Sequence, residues 1–156
     1  MDIANKQERK VSDTLRSIFL TYGYKLSITS FRGVDNEDYI EKRERTVNGF
    51  IGYQVPREGL DRTYWNDFAV FIPDVLDIRI ECKSLAVASI LSRAVIVEEL
   101  IITSSMPEKN LILLVEGNGF KTKEFTETIK KTKSKITELA NDMTEFVDSI
   151  GLKLAT

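Results

Sequence analysis

The chain has 156 residues, of which 42% are hydrophobic and 29% charged, a composition that fits one globular domain with a sizeable core. It contains no histidine and a single cysteine, Cys82, which excludes histidine-based catalysis, histidine zinc sites and an internal disulfide. Its net charge of −2 neither supports nor opposes a nucleic-acid partner. We expect a single domain over residues 1–156, in which any catalysis uses carboxylates, lysine, tyrosine, serine or a metal ion.

The N-terminal residues are too polar for a signal peptide, and the apolar stretches are too short to span a bilayer. A lone cysteine also suits a reducing compartment. We therefore expect a cytoplasmic protein without a membrane partner.

The first predicted element is an amphipathic helix over residues 5–22, with apolar side chains three and four positions apart and Gly23 as its stop signal. A short strand is predicted within residues 24–29. Residues 31–65 are the least regular stretch and are predicted to be an insert. Within it, residues 36–45 are typical of an exposed helix with opposite charges, whereas arginines interleaved with aromatic residues favour nucleic-acid contacts. The candidate contacts in this stretch are Arg43, Arg45, Arg57 and Arg62.

Residues 65–85 predict a β-hairpin, with two apolar runs separated by a turn at Pro73-Asp74. If the turn is centred on Asp74, the numbers of opposed residues sum to about 148, which places Asp67 across from Glu81. Alternation of side chains then predicts that Asp67, Glu81 and Lys83 share one face. The other face is predicted to be apolar and comprises Phe68, Val70, Ile72, Ile78, Ile80 and Cys82.

Two carboxylates at opposed positions of neighbouring strands repel each other, so this arrangement favours a cation between them. A hard divalent ion such as Mg²⁺ suits such a site, and Lys83 would place an ammonium beside the reacting group. The pattern therefore indicates metal-dependent hydrolysis of a phosphodiester. An edge hairpin with solvated charges remains the structural alternative.

These residues resemble the PD-(D/E)XK, or restriction-endonuclease-like, nucleases, with Asp67 on one strand and Glu81-Cys82-Lys83 on the next. The resemblance implies that Asp67 and Glu81 bind the metal, that the carbonyl of Cys82 is a further ligand, and that Lys83 assists the nucleophile. It also implies accessory roles for Glu8 on the first helix and for three residues after the motif, Ser84, Arg93 and Glu98. The literal Pro73-Asp74 pair is interpreted as turn chemistry and not as the motif.

The second half begins with a predicted buried helix over residues 87–102, for which a strand over residues 94–102 is the alternative. Leu111–Glu116 is predicted to be a continuous apolar strand. The order of elements over residues 5–117 matches the α-β-β-β-α-β core of the resembled family. A long C-terminal helix is predicted over residues 121–149, where Lys130 and Lys131 either contact phosphates or form a solvated face.

The expected fold is thus an α/β, restriction-endonuclease-like core with a mixed central sheet flanked by helices. By resemblance, the expected function is a Mg²⁺-dependent DNA endonuclease of a restriction system, with Mn²⁺ as a substitute ion and a homodimer as the working form. A Holliday-junction resolvase and a nicking or nuclease subunit would carry the same residues. A non-catalytic nucleic-acid-binding module is the alternative outside this chemistry.

Overall fold

The structure is a computed structural model that describes residues 3, 6–58, 63–84, 111–116, 135–138, 147–148 and 152–155. Two helices and six strands follow one another in these residues. They are α1 (Lys6–Thr21), β1 (Ile28–Ser30), α2 (Asn36–Arg45), β2 (Phe50–Glu58), β3 (Thr63–Ile72), β4 (Leu76–Ser84), β5 (Leu111–Glu116) and β6 (Lys135–Glu138).

All six strands form one mixed sheet in the order β1-β2-β3-β4-β5-β6. The three central strands, β2, β3 and β4, pair antiparallel, whereas β1 joins β2 in parallel and β5 and β6 continue from β4 in parallel. The expected α/β class with a mixed sheet is confirmed at this level. None of the helices in the described ranges is long and apolar enough to cross a membrane.

The β3–β4 hairpin has the predicted register. Phe68 pairs with Ile80 and Val70 with Ile78, so opposed residue numbers sum to 148. Asp74 lies in the turn with a φ of 63°, a left-handed conformation that Asp tolerates better than most residues. The turn is closed by a hydrogen bond of 3.0 Å from the Val75 N–H to the Ile72 carbonyl.

Helix α1 covers one face of the sheet. Its buried stripe of Val11, Leu15, Ile18 and Phe19 joins the predicted apolar face of the hairpin in one core cluster. At the end of the helix the Gly23 N–H donates to the Leu20 carbonyl and the Tyr24 N–H donates to the Phe19 carbonyl. Gly23 has a φ of 93°. This pair of bonds is a Schellman ending, which explains why Gly23 stops the helix.

Helix α2 covers the opposite face. Its N-cap is Asp35, whose side chain accepts a 2.8 Å hydrogen bond from the Asp38 N–H. Tyr39 packs edge-on against Phe31 at 5.0 Å between ring centroids, above Phe50. The stretch 31–65, predicted to be the least regular, therefore supplies a helix and a central strand, and the exposed helix predicted for residues 36–45 is confirmed.

Strand β5 has the predicted bounds, whereas β6 corrects the prediction of one continuous helix over residues 121–149. The sequence Lys-Ile-Thr-Glu at 135–138 contains two β-branched residues side by side, which suits a strand next to β5. The other predictions for residues 121–146, and the helix or strand predicted for residues 87–102, fall outside the described residues.

Candidate active site

The regular pairing of β2 with β3 is interrupted at one position. Tyr53 pairs with Phe68 and Val55 with Asn66, but Gln54 and Asp67 between them form no ladder pair. Gln54 has a φ of 53°, which L residues with a side chain adopt rarely and at a cost of about 1–2 kcal/mol. The interruption therefore lies directly at the predicted metal-binding aspartate.

The side chains change faces across this interruption. Tyr53 belongs to the core under α1, whereas Val55 belongs to the core under α2, although residues two apart in a regular strand share a face. In β3, Phe68 likewise lies in the core under α1, while Asn66 bonds to Glu81 on the α2 side. In both strands, therefore, the side chains two residues apart across the interruption point to opposite faces of the sheet.

The shift places Asp67 with helix α1. Its Oδ2 atom accepts a 2.7 Å hydrogen bond from the backbone N–H of Cys82, so the side chain takes a place in the β3–β4 ladder. Its carboxylate also forms a hydrogen bond with Glu8 from α1. The structure therefore brings together Asp67 and the accessory carboxylate proposed on the first helix, and we call Glu8 and Asp67 the acid pair.

Burial and the neighbouring Asp67 change the protonation of Glu8. Burial of the side chain, followed by the charge of Asp67 and the hydrogen bond between the two carboxyl groups, raises the pKa of Glu8 from 4.5 to about 7. Two neighbours act in the opposite direction: the Tyr53 hydroxyl, 3.5 Å from Glu8 Oε2, and the Arg32 guanidinium. The Glu8 carboxyl therefore keeps its proton up to about pH 7.

Glu81 lies on the opposite face. Its side chain is buried, and its Oε1 accepts a 2.7 Å hydrogen bond from Nδ2 of the buried Asn66. Arg79, two residues earlier on the same strand, stacks its guanidinium over Tyr39 on the α2 side at 4.8 Å. The prediction that Asp67 and Glu81 share a face is therefore wrong, because it assumed unbroken alternation through Asp67.

The remaining predicted motif residues are placed in part. The Cys82 side chain packs against the core under α1, and its backbone N–H donates to Asp67 of the acid pair; the proposed role of its carbonyl as a metal ligand stays a prediction. Lys83 and Ser84 pair with Val115 and Glu116 through the strand backbone. Their side chains, and the accessory residues Arg93 and Glu98, fall outside the described residues.

Three of the candidate nucleic-acid contacts, Arg43, Arg45 and Arg57, have protein partners or are buried. Arg43 forms a 2.6 Å ion pair with Asp77 and lies over Phe71, and Arg45 pairs with Glu41 on the same helix. Arg57 is 2% exposed, so its guanidinium is not at the surface. Arg62, Lys130 and Lys131 fall outside the described residues, and their proposed role stays a prediction.

Three residues near the motif were missed as site residues. Tyr53 and Arg32 contact each other, with Arg32 Nη2 3.4 Å from the Tyr53 hydroxyl, and both act on Glu8. They stand among the arginine and aromatic residues of the 31–65 stretch, but nothing in their spacing indicates this contact. Asn66 directly precedes Asp67, and its neighbour Trp65 is 40% exposed.

The acid pair has the donor chemistry that a hard divalent ion needs, namely carboxylate oxygens from two elements at one point. Mg²⁺ commonly binds through one or two carboxylates and fills its other positions with water and phosphate oxygens. Across the ranges that the structure describes, no group of three or more Asp, Glu, Cys or His residues could hold a metal ion. The described residues thus offer a metal ion two carboxylates at this point.

Comparison of the chain with protein-family models, with curated proteins and with solved structures found no match. The functional argument consequently depends on the geometry of the acid pair and its surroundings.

Proposed function

We propose that this protein is a Mg²⁺-dependent DNA endonuclease of the PD-(D/E)XK type, with a restriction-type role and with Mn²⁺ as a substitute ion. The observation that carries the proposal is the acid pair, in which α1 and β3 bring two carboxylates together at the end of the hairpin motif. Burial, followed by the neighbouring Asp67 charge, raises the pKa of Glu8 to about 7, and the two carboxylates repel each other when both are ionised. Such a pair favours a cation.

Each residue around the pair has a defined task. The Cys82 N–H fixes the orientation of Asp67, and Tyr53 and Arg32 favour the ionised form of Glu8. A bound Mg²⁺ would lower the pKa of a water molecule and neutralise charge on a phosphate. Lys83, the next residue after Cys82 on β4, is proposed to stabilise negative charge on the reacting phosphate.

The proposal changes one of the metal ligands expected from the sequence. Glu81 is held by Asn66 on the α2 side of the sheet, so we assign metal binding to Glu8 and Asp67 and give Glu81 a structural role. In this assignment Glu8 of α1 is the second metal ligand, in place of Glu81 of β4.

A non-catalytic nucleic-acid-binding module is the second candidate, and one observation favours it. Within the described part of the chain, only two of the three carboxylates expected in the motif come together. A resolvase or nicking enzyme would use the same chemistry and differ only in its DNA substrate.

Incubation of supercoiled plasmid and genomic DNA with the protein, in Mg²⁺ or in EDTA, separates these candidates. We expect Mg²⁺-dependent cleavage that falls about 10²-fold or more in Asp67→Asn and in Glu8→Gln, because each loses one metal ligand. Glu44→Gln is the matched control, since Glu44 is an exposed acid of α2 away from the acid pair. Uncut DNA in Mg²⁺ that is nevertheless bound would favour the binding module.

The form of the cleaved substrate then identifies the subclass. Discrete fragments from genomic DNA indicate a restriction-type enzyme, open circles alone indicate a nicking enzyme, and selective cutting of a synthetic four-way junction indicates a resolvase. Equal cleavage by wild type and Asp67→Asn would contradict the assigned site.

A further inference from the structure

Two adjoining clefts run along the outer side of α1. The larger has a volume of about 710 Å³ and lies between α1, the start of β1, and the segment that joins α2 to β2. The smaller, about 480 Å³, continues towards the N-terminal half of α1 and shares Asp13, Arg16 and Ser27 with the first. Because they share three lining residues, we treat them as one feature, the α1 groove.

The α1 groove is basic although the chain is not. Four cations line it, Arg9, Arg16, Lys25 and Lys42, against a single acid, Asp13, while the whole chain has a net charge of −2. All four cations are exposed. No carboxylate among the described residues pairs with any of them, in contrast to Arg43 and Arg45 on α2. These charges are thus available to a ligand.

The length of the groove suits several nucleotides of one nucleic-acid strand. The α1 residues that line the groove follow one another at intervals of three or four positions and so form a stripe on one face of the helix. They are Arg9, Asp13, Arg16 and Leu20. At 1.5 Å per residue the stripe extends about 16 Å, which corresponds to about five nucleotides of one strand. Arg9, at one end of the groove, is the next residue along α1 after Glu8 of the acid pair.

Uncharged groups in the groove suit the same ligand. The residues Ser17, Ser27 and Thr46 place hydroxyl-bearing side chains in its lining, and hydroxyls commonly contact phosphate oxygens in nucleic-acid complexes. At the α2 end, Leu20 and Val47 are 60% and 85% exposed and offer apolar surface to sugars or bases. A nucleic-acid strand presents phosphates, sugars and bases, which are the groups that these charged, hydroxyl-bearing and apolar side chains can contact.

We propose that the α1 groove binds the phosphodiester backbone of one strand of the DNA on which the acid pair acts. This inference rests on the proposed nuclease function for the identity of the ligand. The cations hold consecutive phosphates by charge, and the groove leads the strand towards Glu8 and Asp67. The binding is independent of sequence, since its contacts are to the backbone.

The test is a binding measurement that requires no catalysis. A fluorescently labelled DNA duplex is titrated with protein in EDTA, and anisotropy gives the dissociation constant at several salt concentrations. The variant Arg16→Ala/Lys25→Ala/Lys42→Ala removes three phosphate contacts. At about 0.15 M salt each contact accounts for about 5-fold in affinity, so we expect about 10²-fold weaker binding and a salt slope smaller by about 2.7.

Matched variants identify the cause of any loss. Lys6→Ala/Lys10→Ala/Lys153→Ala removes the same charge from exposed positions outside the groove and should weaken binding no more than a few-fold. The charge-keeping variant Arg16→Lys/Lys25→Arg/Lys42→Arg should bind like the wild type. Asp13→Asn, which removes the acid of the groove, should bind several-fold tighter.

The outcomes separate the groove from the nuclease. Wild-type affinity in the Arg16→Ala/Lys25→Ala/Lys42→Ala variant overturns the groove assignment whether or not the protein cuts DNA. The expected loss of binding in a protein that never cuts DNA supports the groove and contradicts the nuclease. Wild-type protein that binds poly-glutamate or anionic vesicles in preference to DNA, at low salt, would overturn the proposed ligand.

Discussion

Replacement of Glu8 by glutamine tests the acid pair through the pH dependence of folding. In the folded protein the pKa of Glu8 is about 7, above its usual value of 4.5, so the folded state binds more protons than the unfolded state between these values. The favourable contribution of protonated Glu8 is fully present below about pH 4.5 and is lost as the pH rises through 7. The Glu8→Gln variant would keep a neutral hydrogen-bonding group next to Asp67 at every pH.

The size of the effect follows from the two pKa values. A rise from 4.5 to about 7 corresponds to about 3 kcal/mol, and solvent screening of a partly exposed carboxyl reduces this to about 1 kcal/mol. In EDTA we therefore expect Glu8→Gln to exceed the wild type by about 1 kcal/mol at pH 8 and to match it at pH 5. For a domain of this size that is about 2–4 °C in Tm.

The assay is urea or thermal unfolding of both proteins at pH 5, 6, 7 and 8, followed by circular dichroism, with Glu44→Gln as the control that should show no such divergence. Parallel stability curves for wild type and Glu8→Gln across this range would refute the acid pair. Mg²⁺ supplies a second readout at pH 8. At ten times its dissociation constant it should stabilise the wild type by about 1.4 kcal/mol and the Glu8→Gln variant by less.

Four further outcomes are expected. Asp74→Gly should keep cleavage and stability, because glycine accepts the φ of 63°, whereas Asp67→Asn should abolish cleavage; an inactive but folded Asp74→Gly would make the literal Pro-Asp pair the motif. Glu81→Ala should cost about 1–3 kcal/mol in urea unfolding, since it leaves the Asn66 amide without its buried acceptor, and unchanged stability would return Glu81 to the metal. Lys83→Ala should lose cleavage but keep DNA affinity in Ca²⁺, and an equal loss of both would make Lys83 a binding residue. Light scattering should show a dimer, because two sites are needed to cut both strands of a duplex. A monomer at tens of micromolar with and without DNA would contradict this.

The hairpin was predictable because all its signals are local. The Pro73-Asp74 turn, the apolar alternation on either side and the resulting register are each written in about twenty consecutive residues. The same is true of α1, which has an apolar stripe and a glycine stop. Local patterns of this kind need no knowledge of the tertiary structure.

The arrangement of the carboxylates could not be derived in this way. A left-handed glutamine at position 54 has no sequence signal, since glycine, asparagine and aspartate are the residues that normally indicate a positive φ. One such residue reverses the facing of the side chains that follow it in β2, with a matching change in β3 at Asp67. The partner of Asp67 is therefore decided by helix packing across the sheet, which brings in Glu8.

The position of Trp65 gives the protein an intrinsic optical probe. Trp65 is the sole tryptophan of the chain, it is 40% exposed, and it stands two residues before Asp67 on the same strand. Emission excited at the indole band therefore comes from one place, and its wavelength responds to the water around that place. Binding of any ligand next to this part of β3 would thus be followed by tryptophan fluorescence in real time, without labels and without altering any residue.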